Sequence, residues 1–128
     1  MSDYADRTTV PEPDTAVIYL RAERPGGGPG PAVDEARAFA EERGLAVVDV
    51  VADPHGAPDE PCERAGWRRV RAMAARGEID TVVLPLPTSL SPERTHELRY
   101  RETRWLLHHG VRLRYSGPAP GRPEDGVT

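Results

Sequence analysis

The chain has 128 residues, 21 acidic and 17 basic side chains, and a formal net charge of −4; its 12 Gly and 14 Pro stand against an apolar fraction of only 38%. That composition fits one domain of roughly 100 residues with polar ends. No apolar run approaches the ~20 residues of a membrane span, and no basic start leads into an apolar signal core. The single cysteine, Cys62, excludes a disulfide framework and a Cys-based zinc site, so a reducing, cytoplasmic setting is expected.

Residues 1–15 are polar, with Pro11 and Pro13, and are expected to form a disordered lead. Ala16–Leu20 (AVIYL) is a short continuous apolar run, suited to a strand buried on both faces. Arg24–Pro31 (RPGGGPGP) reads as loop, and Pro31 then suits the first turn of a helix through Arg43. Ala32, Val33, Ala36, Phe39 and Ala40 share one stripe of that helix, and Gly44 stops it. Leu45–Val51 is a second strand.

A second helix is predicted over Glu63–Arg76, apolar at Trp67, Val70, Met73 and Ala74 and stopped by Gly77. Ile79–Leu86 reads as a third strand whose pairing ends at Pro85 and Pro87. Ser91 is expected to N-cap a helix from Pro92 to His109, with Gly110 as its stop. Val111–Tyr115 is a fourth strand, and 116–128 a flexible Gly/Pro-rich tail. The order β-α-β-α-β-α-β with short connections predicts an α/β domain over 16–115, a parallel-type four-stranded sheet with helices on both faces.

Charge is unevenly spread. Residues 1–63 hold 14 acids and 5 Arg, net −9; residues 64–128 hold 7 acids and 12 Arg, net +5. All basic residues are Arg, and Lys, Asn and Gln are absent. Such a bias is what GC-rich coding would produce, so Arg abundance alone carries no functional weight. Arg64, Arg68 and Arg71 nevertheless fall at i, i+4 and i+7, predicting a basic stripe opposite the apolar face of the second helix.

Four segments, in order, resemble the catalytic domain of resolvase/invertase-type serine recombinases. They are Ile18-Tyr19-Leu20-Arg21; Asp53; Glu63-Arg64-Ala65-Gly66-Trp67-Arg68-Arg69-Val70 leading through Arg76-Gly77-Glu78-Ile79-Asp80 into Thr81-Val82-Val83; and Leu90-Ser91 with Gly110-Val111-Arg112-Leu113. The resemblance implies the resolvase-like fold, and a DNA-cutting serine two residues after the first arginine. This chain has Glu23 there, a poor nucleophile that repels a phosphodiester. The family's Asp-Arg-Leu-(Ser/Gly)-Arg cluster corresponds here to Thr88-Ser89-Leu90-Ser91-Pro92, without the acid and both arginines. Losing one preorganised charge-stabilising donor typically lowers a rate by about 100–1000-fold. What the resemblance leaves is Tyr19, Arg21, Asp53 and Arg64. Arg21 and Arg64 match phosphate-contacting arginines of the family, whereas Tyr19 is expected to pack at a strand end and Asp53 to hold a loop.

The glycine loop at 26–31 is not a phosphate cradle: Pro29 and Pro31 lack N–H groups, and no Gly-Lys-Ser/Thr ending follows. Adjacent His108 and His109 point about 100° apart on a helix and do not chelate one metal. No metal and no cofactor are expected. Ser116–Pro123 does not fit the long helix that follows the family's catalytic domain and mediates dimer contacts. The expectation is a stand-alone recombinase-like domain without catalysis, an accessory DNA-associated protein. Duplex DNA would be its partner through sequence-blind phosphate contacts of Arg21, Arg64, Arg68 and Arg71. The rival expectations are a protein-interaction module reusing the fold, with a protein partner, and an active site-specific recombinase.

Overall fold

A computed structural model describes residues 14–22, 25–26 and 30–117. Strand β1 (Thr15–Arg21), helix α1 (Gly30–Glu42), β2 (Ala46–Asp53), α2 (Ala65–Ala75), β3 (Thr81–Leu84), α3 (Glu97–His108) and β4 (Arg112–Tyr115) follow in that order. Single 3-10 turns lie at Pro61–Glu63, Pro87–Ser89 and Glu93–Thr95. The four strands form one sheet in the order β2-β1-β3-β4, and each recorded pairing is parallel. This is the predicted α/β sheet.

Strand β1 lies at the centre because Ala16 to Leu20 offer apolar side chains to both faces, and all five are buried. Ala16, Ile18 and Leu20 face α1, which lays Ala36 against them with Ala32, Val33 and Phe39 alongside. Val17 and Tyr19 point the other way, into a core with Trp67, Val70, Met73 and Ala74 of α2 and Leu106 of α3. Both predicted helical stripes therefore meet the sheet, on opposite faces. Each fully buried Val, Ile or Leu side chain among these contributes about 1.5–3 kcal/mol.

Pairing between β1 and β2 slips at one point. Ala16 pairs with Val47 and Val17 with Asp49, which leaves Val48 as a bulge residue, about half exposed.

Helix α2 closes by a Schellman arrangement: Glu78 N–H donates to the Met73 carbonyl at 2.9 Å and Gly77 N–H to Ala74 at 3.0 Å, with Gly77 at φ 74°. Its start differs from the expectation. Glu63 belongs to the preceding 3-10 turn, and Arg64, in extended conformation, is the N-cap residue.

The third helix is also shorter than expected. Ser91 is fully buried, and its hydroxyl donates to the Thr95 carbonyl at 2.9 Å. It braces the turn Glu93–Thr95 rather than capping a helix, and α3 starts at Glu97 without a side-chain cap. At the edges of the domain, β1 already begins at Thr15, while Ser116 and Gly117 still donate to the carbonyls of Leu84 and Pro85. The remainder of the expected lead and tail lies outside the described residues.

Candidate functional site

In a parallel sheet of order 2-1-3-4, the chain leaves β1 toward one side and returns on the other. The crevice at the carboxyl ends of β1 and β3 is then the preferred ligand position. A cleft of about 400 Å3 lies there, lined by Arg21, Ala22, His55, Gly56, Asp59, Thr88, Ser89, Pro92 and Arg94. Arg21 ends β1; His55, Gly56 and Asp59 follow β2; Thr88, Ser89 and Pro92 follow β3.

Beneath the cleft, three of the predicted residues form a closed network. The Tyr19 hydroxyl donates to Asp53 Oδ2 at 2.6 Å and accepts from Arg64 Nη1 at 3.2 Å. Burial, followed by the bond to Asp53, pushes the Tyr19 hydroxyl far above its ordinary range, so it stays protonated. Asp53 also accepts from the backbone of α2, from Gly66 N–H at 2.8 Å on Oδ1 and Trp67 N–H at 3.0 Å on Oδ2. The carboxylate thus satisfies two of the helix's open amides from a neighbouring strand, on the side the helix dipole favours.

Gly66 is required for that approach, because a Cβ there would lie 2.7 Å from Asp53 Oδ2. Gly66→Ala is expected to destabilise the fold by about 1–3 kcal/mol through overpacking, read as a lowered midpoint in urea. An unchanged midpoint would show that Asp53 relaxes freely.

Arg64 is 1% exposed. Nε donates to the Pro58 carbonyl at 2.6 Å, Nη2 to the Asp59 carbonyl at 3.1 Å and Nη1 to the Ser89 carbonyl at 3.1 Å. Its guanidinium therefore ties the loop after β2 to the loop after β3, and these are the two walls of the cleft. The predicted basic stripe is not an exposed surface: Arg64 is inside the protein and, of the three, only Arg68 is exposed.

Arg71 turns toward α3, donating through Nε to Glu102 Oε1 at 2.8 Å with its guanidinium 4.1 Å from the Trp105 ring centre. Glu102, fully buried, also accepts from Trp67 Nε1 at 2.7 Å and Arg101 Nε at 2.8 Å. Burial works to raise the Glu102 carboxyl, but the hydrogen bonds from Arg71, Trp67 and Arg101 outweigh it and hold the group below its ordinary range. Glu60, bridged to Arg101, is held at about 2.

Glu60, Cys62 and Glu102 bring metal-ligand atoms within 4.8 Å of one another. Arg71 and Arg101 already supply the positive charge there, which marks an ion-pair network. Burial and the nearby Glu102 push the Cys62 thiol up, away from its reactive thiolate form.

In the cleft itself, Arg21 donates to the Ala57 carbonyl and lies 3.7 Å from Asp59 Oδ1, while Arg94 Nη2 donates to Asp59 Oδ2 at 2.7 Å. Of the family-matched positions, Arg21, Thr88, Ser89 and Pro92 meet in this cleft; Tyr19, Asp53 and Arg64 lie below it; Glu23 falls outside the described residues. Asp59, Arg94 and Glu102 are the residues that sequence patterning missed. Glu102 carried a signal, since it sits four residues before buried Leu106, in an otherwise apolar stripe. Asp59 meets Arg94 across 35 residues of chain, which no local pattern encodes.

No family model matches the sequence, and none of the curated proteins is detectably similar. Solved structures are similar in fold. The C-terminal catalytic domain of ISC1926 TnpA, an IS607-like serine recombinase, superposes with a TM-score of 0.65 at 19% identity, over 87% of this chain and 76% of that one. The N-terminal catalytic domain of TP901-1 integrase gives 0.60 at 22% identity, over 77% and 74%. A serine recombinase from Sulfolobus solfataricus gives 0.53 at 17% identity, over 86% and 75%. Like these, the chain has the fold of the serine-recombinase catalytic domain.

Proposed function

We propose that the chain is a recombinase-type domain that engages the phosphate backbone of duplex DNA without cutting it, in an accessory role in DNA recombination or mobile-element transfer. The observation that carries this reading is the pair Arg21 and Arg94, converging on one carboxylate in the cleft at the carboxyl ends of β1 and β3. A guanidinium that donates to a carboxylate oxygen can donate in the same way to a phosphate oxyanion. Arg68, one turn into α2, is a further exposed arginine, outside the lining of the cleft. Arg64 supports the cleft walls from within the fold and Arg71 joins α2 to α3, and protein acceptors already engage the N–H groups of both.

The covalent step of a serine recombinase needs an activated hydroxyl. Glu23 stands at the position that the family resemblance assigns to it. No hydrogen bond joins Ser89 to His55 among the described residues, although both line the cleft. Purified protein incubated with duplex DNA is accordingly expected to form no covalent adduct.

Binding to a fluorescent duplex at stepped salt tests the proposal. Affinity should fall steeply as salt rises, and Arg94→Ala or Arg68→Ala should each lower the log–log salt slope by about 1. Salt-independent binding, or none, sinks the DNA reading. The alternative, a protein-interaction module, rests on Tyr100 and Leu107, large apolar side chains exposed seven residues apart on α3. Under that reading Tyr100→Ala leaves the fold intact and abolishes a partner contact, while DNA affinity is absent from the start.

A further inference from the structure

We infer that Asp59 is a built-in occupant of the anion position in the cleft, an autoinhibitory carboxylate that an incoming phosphate must displace. The inference rests on the reading of that cleft as a phosphate site and adds how the site is controlled. Asp59 presents one oxygen to each arginine: Oδ2 accepts from Arg94 Nη2 at 2.7 Å, and Oδ1 lies 3.7 Å from Arg21 Nη2. A phosphodiester oxygen pair would take up these same two positions. A phosphate entering beside Asp59 instead would meet a like charge at close range.

Two other carboxylates paired on the surface, Asp49 and Glu78, lie elsewhere. Asp49 meets Arg69, and Glu78 meets Arg76 beyond the far end of α2. Neither Asp49 nor Glu78 lines the cleft.

The Asp59 side chain is free to leave. It is about one-third exposed, and its backbone carbonyl, not its carboxylate, is what Arg64 holds. A side-chain rotation therefore vacates the position while the walls of the cleft stay tied. Arg94, whose side chain is 73% exposed, is then released to meet the ligand. Arg21 keeps its bond to the Ala57 carbonyl and stays aimed at the cleft.

The test compares wild type, Asp59→Asn, Asp59→Ala and the charge-matched control Glu78→Gln. The probe is a short fluorescent duplex across a salt series, with inorganic phosphate as competitor. Both Asp59 variants should bind the duplex about tenfold more tightly than wild type, with a salt slope steeper by about 1. Glu78→Gln should stay within about twofold of wild type, because a single remote surface charge is largely screened.

Competition by inorganic phosphate at low millimolar levels would identify a free phosphate ligand. Resistance to it would identify the nucleic-acid backbone. Equal affinity of wild type and the Asp59 variants, or an equal gain in Glu78→Gln, overturns the autoinhibitory role and leaves the DNA reading standing. Failure of all four proteins to bind the duplex overturns both. Thermal melts of the Asp59 variants close to wild type exclude a folding artefact, since only a partly exposed ion pair is removed.

Discussion

Arg64→Ala is expected to lower stability by about 3–5 kcal/mol, a fall in melting temperature of about 15 °C or more for a domain of this size. The variant removes a fully buried cation and leaves the carbonyls of Pro58, Asp59 and Ser89 and the hydroxyl of Tyr19 without that donor. The Ser89 carbonyl and the Tyr19 hydroxyl are the buried acceptors among these; each buried acceptor left unpaired costs about 1–3 kcal/mol, and the space vacated by the side chain adds to that. Arg64→Lys should recover only part of the loss, since one ammonium cannot reach acceptors that a planar fork serves in several directions. Denaturant unfolding gives the check. A loss below about 1 kcal/mol would mean that water replaces the guanidinium, and that the two loops do not depend on it. The same variant would weaken DNA binding by loosening the cleft walls, so its binding data are interpretable only beside its melting curve.

Glu102→Ala is expected to cost about 3–5 kcal/mol, because Arg71 and the Trp67 indole N–H lose the one buried carboxylate that joins α2 to α3. Glu102→Gln, of nearly equal shape, should cost less. It keeps one oxygen for Trp67 while removing the charge that Arg71 and Arg101 share.

The pH dependence follows from the same network. Glu102 and Glu60 both have folded-state values below their ordinary 4.5, with Glu60 at about 2. Their stabilisation is complete above the unfolded value and is lost as pH falls through the folded values. Wild type should therefore weaken between about pH 4.5 and pH 2, and Glu102→Gln should show a shallower decline over that range. Parallel acid-unfolding curves for the two proteins would refute the assignment.

Much of the fold was legible in the sequence because apolar periodicity reports burial directly. Trp67, Val70, Met73 and Ala74 were expected on one face of α2, and all four are buried. The run Ala16–Leu20 was expected to be buried on both sides, and it is. What periodicity cannot report is the surface presented by a neighbouring element. Arg64, Arg68 and Arg71 are equivalent on a bare helix; the loops after β2 and β3 bury the first, and Glu102 with Trp105 draws in the third. Ser91 likewise looked like a helix cap from its position before a proline, but a 3-10 turn intervenes and takes its hydroxyl. In the site, Tyr19 was expected to pack at a strand end and Asp53 to hold a loop; Asp53 instead takes the first amides of α2, and the Tyr19 hydroxyl donates to it. The convergence of Arg21 and Arg94 on Asp59 depends on tertiary proximity across three loops and left no trace in local spacing.

The ion pairs Asp49–Arg69, Asp59–Arg94 and Glu60–Arg101 each join an acid from the first half of the chain to an arginine from the second. Before folding, the same chain is two blocks of opposite sign, −9 followed by +5, and such blocks attract one another at long range when salt is low. The unfolded ensemble is then drawn together with its halves already facing, more compact than a neutral chain of the same length. Added salt expands that ensemble as well as loosening the native pairs, so ionic strength acts on both sides of the folding equilibrium.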